Sequence, residues 1–475
     1  MNPKGYDQSA LRQAFLGLAV VAAAVGVVVV SGALLSVRGA LAADPITVNS
    51  TADDTLENLA GNATCDLREA IVAANTDSQV GQCNAGGTAA TTIEVSATGA
   101  IALTADLPTI TDTLTINGPI GASLTIDGMG SFRQFWIDPG IKVEMSGLTL
   151  ANGYASVPVW PFYAGGAIHN EGSLTLDEMT IVGSVSAVAP GFGGYGGAVY
   201  SRGSLTVTNS LIYSNSATNG GGGIYVRLED CSAPTSTLTL VNSAVYSNTA
   251  GQDGGGIYIG SIMCIPAART LVVDGSTVSG NSANRGGGVY LSYASGTFRN
   301  TTISGNEAND DGGGVCTLAD WAQTVDLVNC TVYDNTADDQ GGGLFIEQTF
   351  RVNVKNTILA GNSAGVAGPE VLGEIESYDY NLIQDTSGAT LNGLLGHTIT
   401  GSSPLLGPLA DNGGPTWTHA LLPGSPAINA GSCTDIAGNP IATDQRGVER
   451  ISPCDIGAWE YVLRVYLPQV MRNFP

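Results

Sequence analysis

"GGGIY" at residues 221–225 recurs as "GGGIY" (254–258), "GGGVY" (286–290), "GGGVC" (312–316) and "GGGLF" (341–345), after an earlier "GGAIH" (165–169) and "GGAVY" (196–200). The apolar residue after each run is Ile168, Val199, Ile224, Ile257, Val289, Val315 and Leu344, at intervals of 31, 25, 33, 32, 26 and 29. A variable period near 30 marks one supersecondary unit repeated with elastic loops. A phosphate-cradling loop would need Lys and Ser/Thr after the glycines, at the mouth of a helix. None of the seven runs has them.

Each unit carries a second mark. Asn215, Asn248, Asn281, Asn306, Asn335 and Asn362 stand in "SNSA"-like tetrads, and six residues before them stand Asn209, Asn242, Gly275, Asn300, Asn329 and Asn356. Between the marks, Leu205 and Val207 alternate with Thr206 and Thr208, the pattern of a half-buried strand. No amphipathic helix fits inside the unit. Three short strands per unit predict one turn of a parallel β-helix, with turns stacked ~4.8 Å apart. Glycine then supplies the sharp corners. Asparagine facing inward at a corner can bond to unpaired backbone and to its counterpart in the next turn. Both asparagine series are therefore expected to be buried ladders, and Asn329→Ala to lower stability.

Bulk properties agree. Of 475 residues, 65 are glycine and 12% are charged, which fits neither disorder nor collagen. The net charge is −24 and the only lysines are Lys4, Lys142 and Lys355, which argues against nucleic acid as a partner. Lys4 and Arg12 precede the apolar run 15–35, and "ALA" (40–42) follows. This reads as an export signal cleaved near Ala42, or, if retained, as the chain's membrane anchor. Everything after it is then extracytoplasmic, secreted or at the cell surface. Eight cysteines in an exported chain favour disulfides. With no CxxC spacing and three histidines, zinc is poorly supported. Cys231 and Cys264 each lie seven residues after an aligned isoleucine, so they are expected to stack and pair. Cys316–Cys330, within one turn, is a second expected pair.

The ends differ from the middle. "TCDLREAIVAAN" (64–75) predicts a helix, with Asp66 and Glu69 as a capping box and Leu67, Ala70, Ile71 and Ala74 as its apolar stripe. The segment resembles the CSLREA domain of exported bacterial β-helix proteins, with Asp66 in place of the usual serine. The resemblance implies a Cys65–Cys83 staple. The glycine and asparagine marks resemble the repeats of polymorphic outer membrane proteins and the right-handed parallel β-helix of the pectin-lyase-like superfamily. "LADNGGPTWTHALLPGSPAINAG" (409–431), "DQRGVER" (444–450) and "CDIGAWEY" (454–461) are similar to the choice-of-anchor Q domain of surface-exposed bacterial proteins. That similarity implies a Cys433–Cys454 staple. Within it Arg446 or Arg450 is expected to pair structurally with Asp455 or Glu460. The expected organisation is a signal (1–42), an N-terminal cap (43–97), a β-helix (98–400), a C-terminal cap region (401–461) and a tail (462–475). The fold class is all-β, a right-handed parallel β-helix with a short N-terminal capping helix.

Enzymes of the pectin-lyase-like superfamily use Ca²⁺ held by carboxylates with an Arg or Lys base, or clustered aspartates with histidine. No NTD, GHG or RIK pattern is present, and no catalytic residue is assigned. Asp310, Asp311, Asp338 and Asp339 fall on one corner of adjacent turns, where stacked charges suit either solvent or Ca²⁺. No basic residue is in obvious register with them. Apart from that Ca²⁺, no cofactor is expected. Trp160, Phe162, Tyr163, Phe192 and Tyr195 belong to two enlarged early corners and are candidates for stacking on sugars. The expected function is a non-enzymatic surface β-helix for adhesion, recognition or envelope structure, with glycans or surface proteins as partners. The alternative is a polysaccharide lyase or glycoside hydrolase.

Overall fold

A computed structural model of the protein describes residues 27–30, 33–36, 44–54, 63–87, 90–155, 164–187, 193–228, 237–261, 270–319 and 323–462. The chain divides into Met1–Asp44 and Pro45–Pro475. In the first unit, Val27–Val30 pairs antiparallel with Ala33–Ser36. The other residues of the 15–35 run lie outside the described ones. No helix among the described residues is long and apolar enough to cross a membrane.

The second unit is a right-handed parallel β-solenoid. One turn runs through Ile224–Leu228, Thr237–Val241, Ala244–Tyr246 and Thr249–Ala250 before the next glycine run. There are thus four strand segments per turn rather than three. The extra one has two residues, too short to show alternation in sequence. The turns stack in register, with Ile224 against Ile257, Val289, Val315 and Leu344 in succession. Strands equivalent to Ala244–Tyr246 form a twelve-stranded sheet, and those equivalent to Thr249–Ala250 an eight-stranded one. Ile224, Leu238, Leu240 and Val245 point into a core that is fully closed to solvent.

The glycine run is required twice over. Gly221 has φ +64°, which L side chains rarely adopt. A Cβ on Gly222 would stand 2.3 Å from the Gly255 carbonyl oxygen of the next turn, so backbone packs directly on backbone.

The second asparagine series lies in the interior. Asn215, Asn248, Asn281, Asn306, Asn335 and Asn362 are all buried. Each amide donates to the Oδ1 of the next turn, from Asn215→Asn248 (3.0 Å) to Asn335→Asn362 (2.8 Å). Each also donates to a main-chain carbonyl of the turn before, as Asn306 does to Val278 (3.0 Å). Glu370 closes the row, accepting from Asn362 Nδ2 (2.5 Å) and its backbone N–H (3.3 Å).

The first series corrects the expectation of two buried ladders. Asn209 is exposed and Asn242 half-buried. Asn209, Asn242, Asn300, Asn329 and Asn356 have φ between 45° and 55°, so they serve the left-handed corner itself. The inward ladder is one residue on. Ser243 Oγ accepts from the Ser210 N–H, Ser276 Oγ from that of Ser243, and Thr357 Oγ1 from that of Cys330. Asn300, Asn329 and Asn356 are buried only because the C-terminal region covers them.

Burial pushes the Glu370 pKa up to about 7. This carboxyl therefore stabilises the fold fully below the ordinary value of 4.5, and that contribution is lost as pH rises towards 7. Glu370→Gln keeps an acceptor without the charge. It is expected to raise stability at pH 8 by ~2 kcal/mol and to change it little at pH 4. Thermal melts at the two pH values check this; equal shifts would contradict it.

The helix Leu67–Thr76 covers the first turns, with Glu69 N–H donating to Asp66 Oδ1 (2.8 Å) and Asp66 N–H to Glu69 Oε2 (3.2 Å). Disulfides join Cys65 to Cys83 and Cys433 to Cys454. Cys231 and Cys264 lie outside the described residues. Cys316 and Cys330 are free thiols, which corrects the expected pair. Cys316 follows the inward Val315 and faces out, whereas Cys330 joins the core, so a wall of the solenoid separates them.

The C-terminal region is not a cap over the last turn. It runs back along the outer face of the twelve-stranded sheet. Thr416 Oγ1 donates to the Gly275 carbonyl (2.9 Å), Gln445 Nε2 to that of Ser276 (3.0 Å), and Ala458 N–H to Thr331 Oγ1 (3.1 Å). A second small core joins Ile358, Ala360 and Leu382 to Leu421, Ala427 and Ile456. Arg450 pairs with Glu460 (3.2 Å), whereas Arg446 pairs with Asp444 (2.7 Å), a partner the sequence did not suggest.

Candidate functional site

Two columns of side chains meet at the glycine corner. On the post-glycine strand, Ile168 and its equivalents point inward, so the next residue faces out. This places His169, Tyr200, Tyr225, Tyr258 and Tyr290 in one outward column, headed by Trp136. Successive ring centroids are 3.8, 4.9, 5.7, 4.4 and 5.3 Å apart. Immediately before the glycines runs a second column, Tyr195, Gly220, Asp253, Arg285, Asp311 and Gln340, joined by backbone hydrogen bonds between turns. Where the columns adjoin, Tyr195, Tyr225, Arg227, Gln252, Asp253 and Tyr258 line a groove of about 310 Å³.

Further along, Arg285 grips Asp253 through Nε (2.9 Å) and Nη2 (3.1 Å), and its guanidinium lies 5.2 Å from the centre of the Tyr290 ring. The paired carboxylate holds the guanidinium in its charged form, well above its ordinary pKa. Tyr290 is 1% exposed, and its hydroxyl has no hydrogen-bond partner among the described residues.

The next turns carry the acidic corner. Asp310, Asp311 and Asp339 each place a carboxylate oxygen within 4.8 Å of the others. Asp338 is exposed and stands outside this group, so three of the four expected residues converge. Burial, then the charges of Asp310 and Asp339, push Asp311 up to about 6. A divalent cation bound by oxygen would relieve that repulsion. The expectation that no basic residue shares their register is also corrected. The Gly286 N–H donates to the Asp311 carbonyl (2.9 Å), so Arg285 lies one turn from Asp311 in the same column. Their spacings in sequence, one residue before "GGG" in each unit, were the available signal.

Of the five aromatic candidates, Tyr195 lines the groove, its ring tilted 45° to that of Tyr225 at 4.6 Å. Trp160, Phe162, Tyr163 and Phe192 lie outside the described residues. In sequence the tyrosines after the glycines read only as part of the repeat. At the start of their column His169 is fully buried, with Nδ1 3.0 Å from the Ala164 carbonyl and Nε2 2.8 Å from Glu171. Burial lowers its pKa.

A profile described as "Right handed beta helix region" matches residues 163–368, the stretch that holds all seven glycine runs. Among solved structures the chain is similar to pectate lyase Pel9A, at 14% identity and a TM-score of 0.50, over 88% of this chain and 97% of that one. This likeness is one of fold. No curated protein matches the sequence.

Proposed function

We propose that this protein is an exported, non-enzymatic β-helix displayed at the cell surface, recognising carbohydrate along its glycine corner. The observation that carries this reading is the groove lined by Tyr195, Tyr225 and Tyr258 beside Gln252 and Asp253. Stacked tyrosine rings that present their edges and hydroxyls beside hydrogen-bonding groups suit the alternating apolar and hydroxyl surfaces of a sugar. Asp310, Asp311 and Asp339 add a Ca²⁺ position two turns along the same corner, through which an acidic sugar can be bridged. The two disulfides and the apolar 15–35 run support export. The CSLREA-like and choice-of-anchor Q-like segments support display at the surface.

A lyase reading gains from the place of Arg285 one turn from the acidic corner. Yet a general base must release its proton, and the bidentate pair with Asp253 opposes that release. The test is a panel of oligogalacturonate and neutral hexasaccharides, with and without Ca²⁺, read by calorimetry for binding and by product analysis for cleavage. Binding without cleavage is expected. Tyr258→Ala should weaken oligogalacturonate binding at least tenfold, and Asp311→Asn should abolish any gain from Ca²⁺. Cleavage that disappears in Arg285→Lys would replace this reading with the lyase one. No binding across the panel would overturn both.

A further inference from the structure

A second cleft lies on a different face, between the twelve-stranded sheet and the C-terminal region. The outward third residue of that sheet's strands reads Tyr213, Tyr246, Ser279, Ser304, Tyr333 and Ala360 along successive turns. Two serines thus interrupt a tyrosine column. The corner residues beside them are Gly280 and Gly305, where the flanking turns have Ser247 and Asp334. A Cβ on Gly280 would meet nothing closer than Ser247 Oγ at 3.8 Å, and one on Gly305 nothing closer than 4.0 Å. The result is a notch between Tyr246 and Tyr333, three strand spacings or about 14 Å long.

The C-terminal region walls this notch and makes it a cleft of about 380 Å³. His419 forms the inner wall. Its Nδ1 lies 2.7 Å from the Gly407 carbonyl, which can only accept, so Nδ1 carries the proton and neutral Nε2 accepts from Ser304 Oγ (2.8 Å). Trp417 forms the rim. Its backbone carbonyl is tied down by Thr277 Oγ1 (2.6 Å) and Gln445 Nε2 (3.2 Å), yet its side chain leaves the residue 54% exposed. A large apolar ring on so fixed a backbone is a platform prepared in advance of its ligand. Asp334 and Ser247 stand at the same opening as acceptors for hydroxyl groups. Among the described residues no Lys or Arg lines the cleft, and Asp334 would repel an anion.

We propose that this cleft binds a neutral oligosaccharide, one sugar face resting on Trp417 and its hydroxyls meeting Asp334 and Ser247. This goes beyond the glycine-corner reading and does not depend on it.

Calorimetry of the full chain with cellohexaose, mannohexaose, xylohexaose and hexagalacturonate tests the idea. At least one neutral hexasaccharide should bind. Trp417→Ala should weaken that binding at least tenfold, Trp417→Phe should restore part of it, and Asp334→Asn should weaken it several-fold. Tyr258→Ala, which acts at the glycine corner, should leave it unchanged. Thermal melts of the variants separate loss of binding from loss of fold. The proposal is overturned by binding of hexagalacturonate alone, by no binding of any neutral probe, or by binding that survives Trp417→Ala. Loss in Tyr258→Ala with retention in Trp417→Ala would move the sugar to the glycine corner.

Discussion

Asn306→Ala is expected to destabilise the solenoid by ~3–5 kcal/mol. Asn306 Oδ1 accepts from both the backbone N–H and the Nδ2 of Asn281 (3.0 Å each). Its own Nδ2 donates to the Val278 carbonyl (3.0 Å) and to Asn335 Oδ1 (2.8 Å). Truncation leaves buried groups in the two flanking turns without partners, and no solvent reaches them. Asn306→Asp should rescue only part of the loss, because a carboxylate accepts from Asn281 but cannot donate to Val278. Asn209→Ala is the matched control. Asn209 is an exposed corner residue at φ 49°, so its replacement costs the left-handed preference and a solvent-exposed hydrogen bond to Asp177 (2.9 Å), together ~1 kcal/mol. Denaturant melts of the three variants measure the difference. Equal losses at Asn306 and Asn209 would show that the interior ladder adds nothing beyond corner geometry.

Arg450→Ala is expected to release the C-terminal region from the solenoid. Arg450 is buried beside Glu460 (3.2 Å) and donates to Asn300 Oδ1 (3.2 Å) and the Gly457 carbonyl (2.8 Å). The amide oxygen of Asn329 faces its Nε at 2.9 Å. Removing the cation leaves the Glu460 charge buried and uncompensated, a change that costs ~3–5 kcal/mol. Because each solenoid turn contacts mainly its neighbours, the damage should stay local. Hydrogen exchange should show loss of protection across 404–461, with little change along the solenoid, where the Thr277, Thr302 and Thr331 amides stay bonded to the preceding turn. Loss of protection along the whole solenoid would mean that the C-terminal region holds the coil together rather than resting on it. Trp417 belongs to the released segment, so the neutral-sugar cleft should vanish with it.

Much of the architecture is legible in single positions. "GGGIY" marks a corner because Gly221 needs positive φ and Gly222 cannot carry a Cβ against the Gly255 carbonyl. The repetition of that run counts turns. The capping box at Asp66 and Glu69 is equally local, set by four consecutive residues. The asparagine marks were half legible. Both series recur at the same spacing, the first broken only at Gly275, but Asn209 and Asn215 differ in which way the chain turns them, and a repeat alone carries no such direction. The cysteines at 316 and 330 show the same limit. Their separation suits a loop of one turn, yet one faces out and the other in.

The functional face was less visible, since its residues are distant in sequence. Asp253, Arg285 and Asp311 lie in three different units and meet only through stacking in register. Trp417 and Tyr246 are brought together by a segment folding back over the sheet. A repeating chain specifies its own coil, because period, corner residues and inward apolar positions are short-range properties written in each unit. The course of the C-terminal region follows from long-range packing onto the Thr277, Thr302 and Thr331 column, whose residues read in sequence as ordinary outward strand positions. Only burial by a distant segment turned them into its seat.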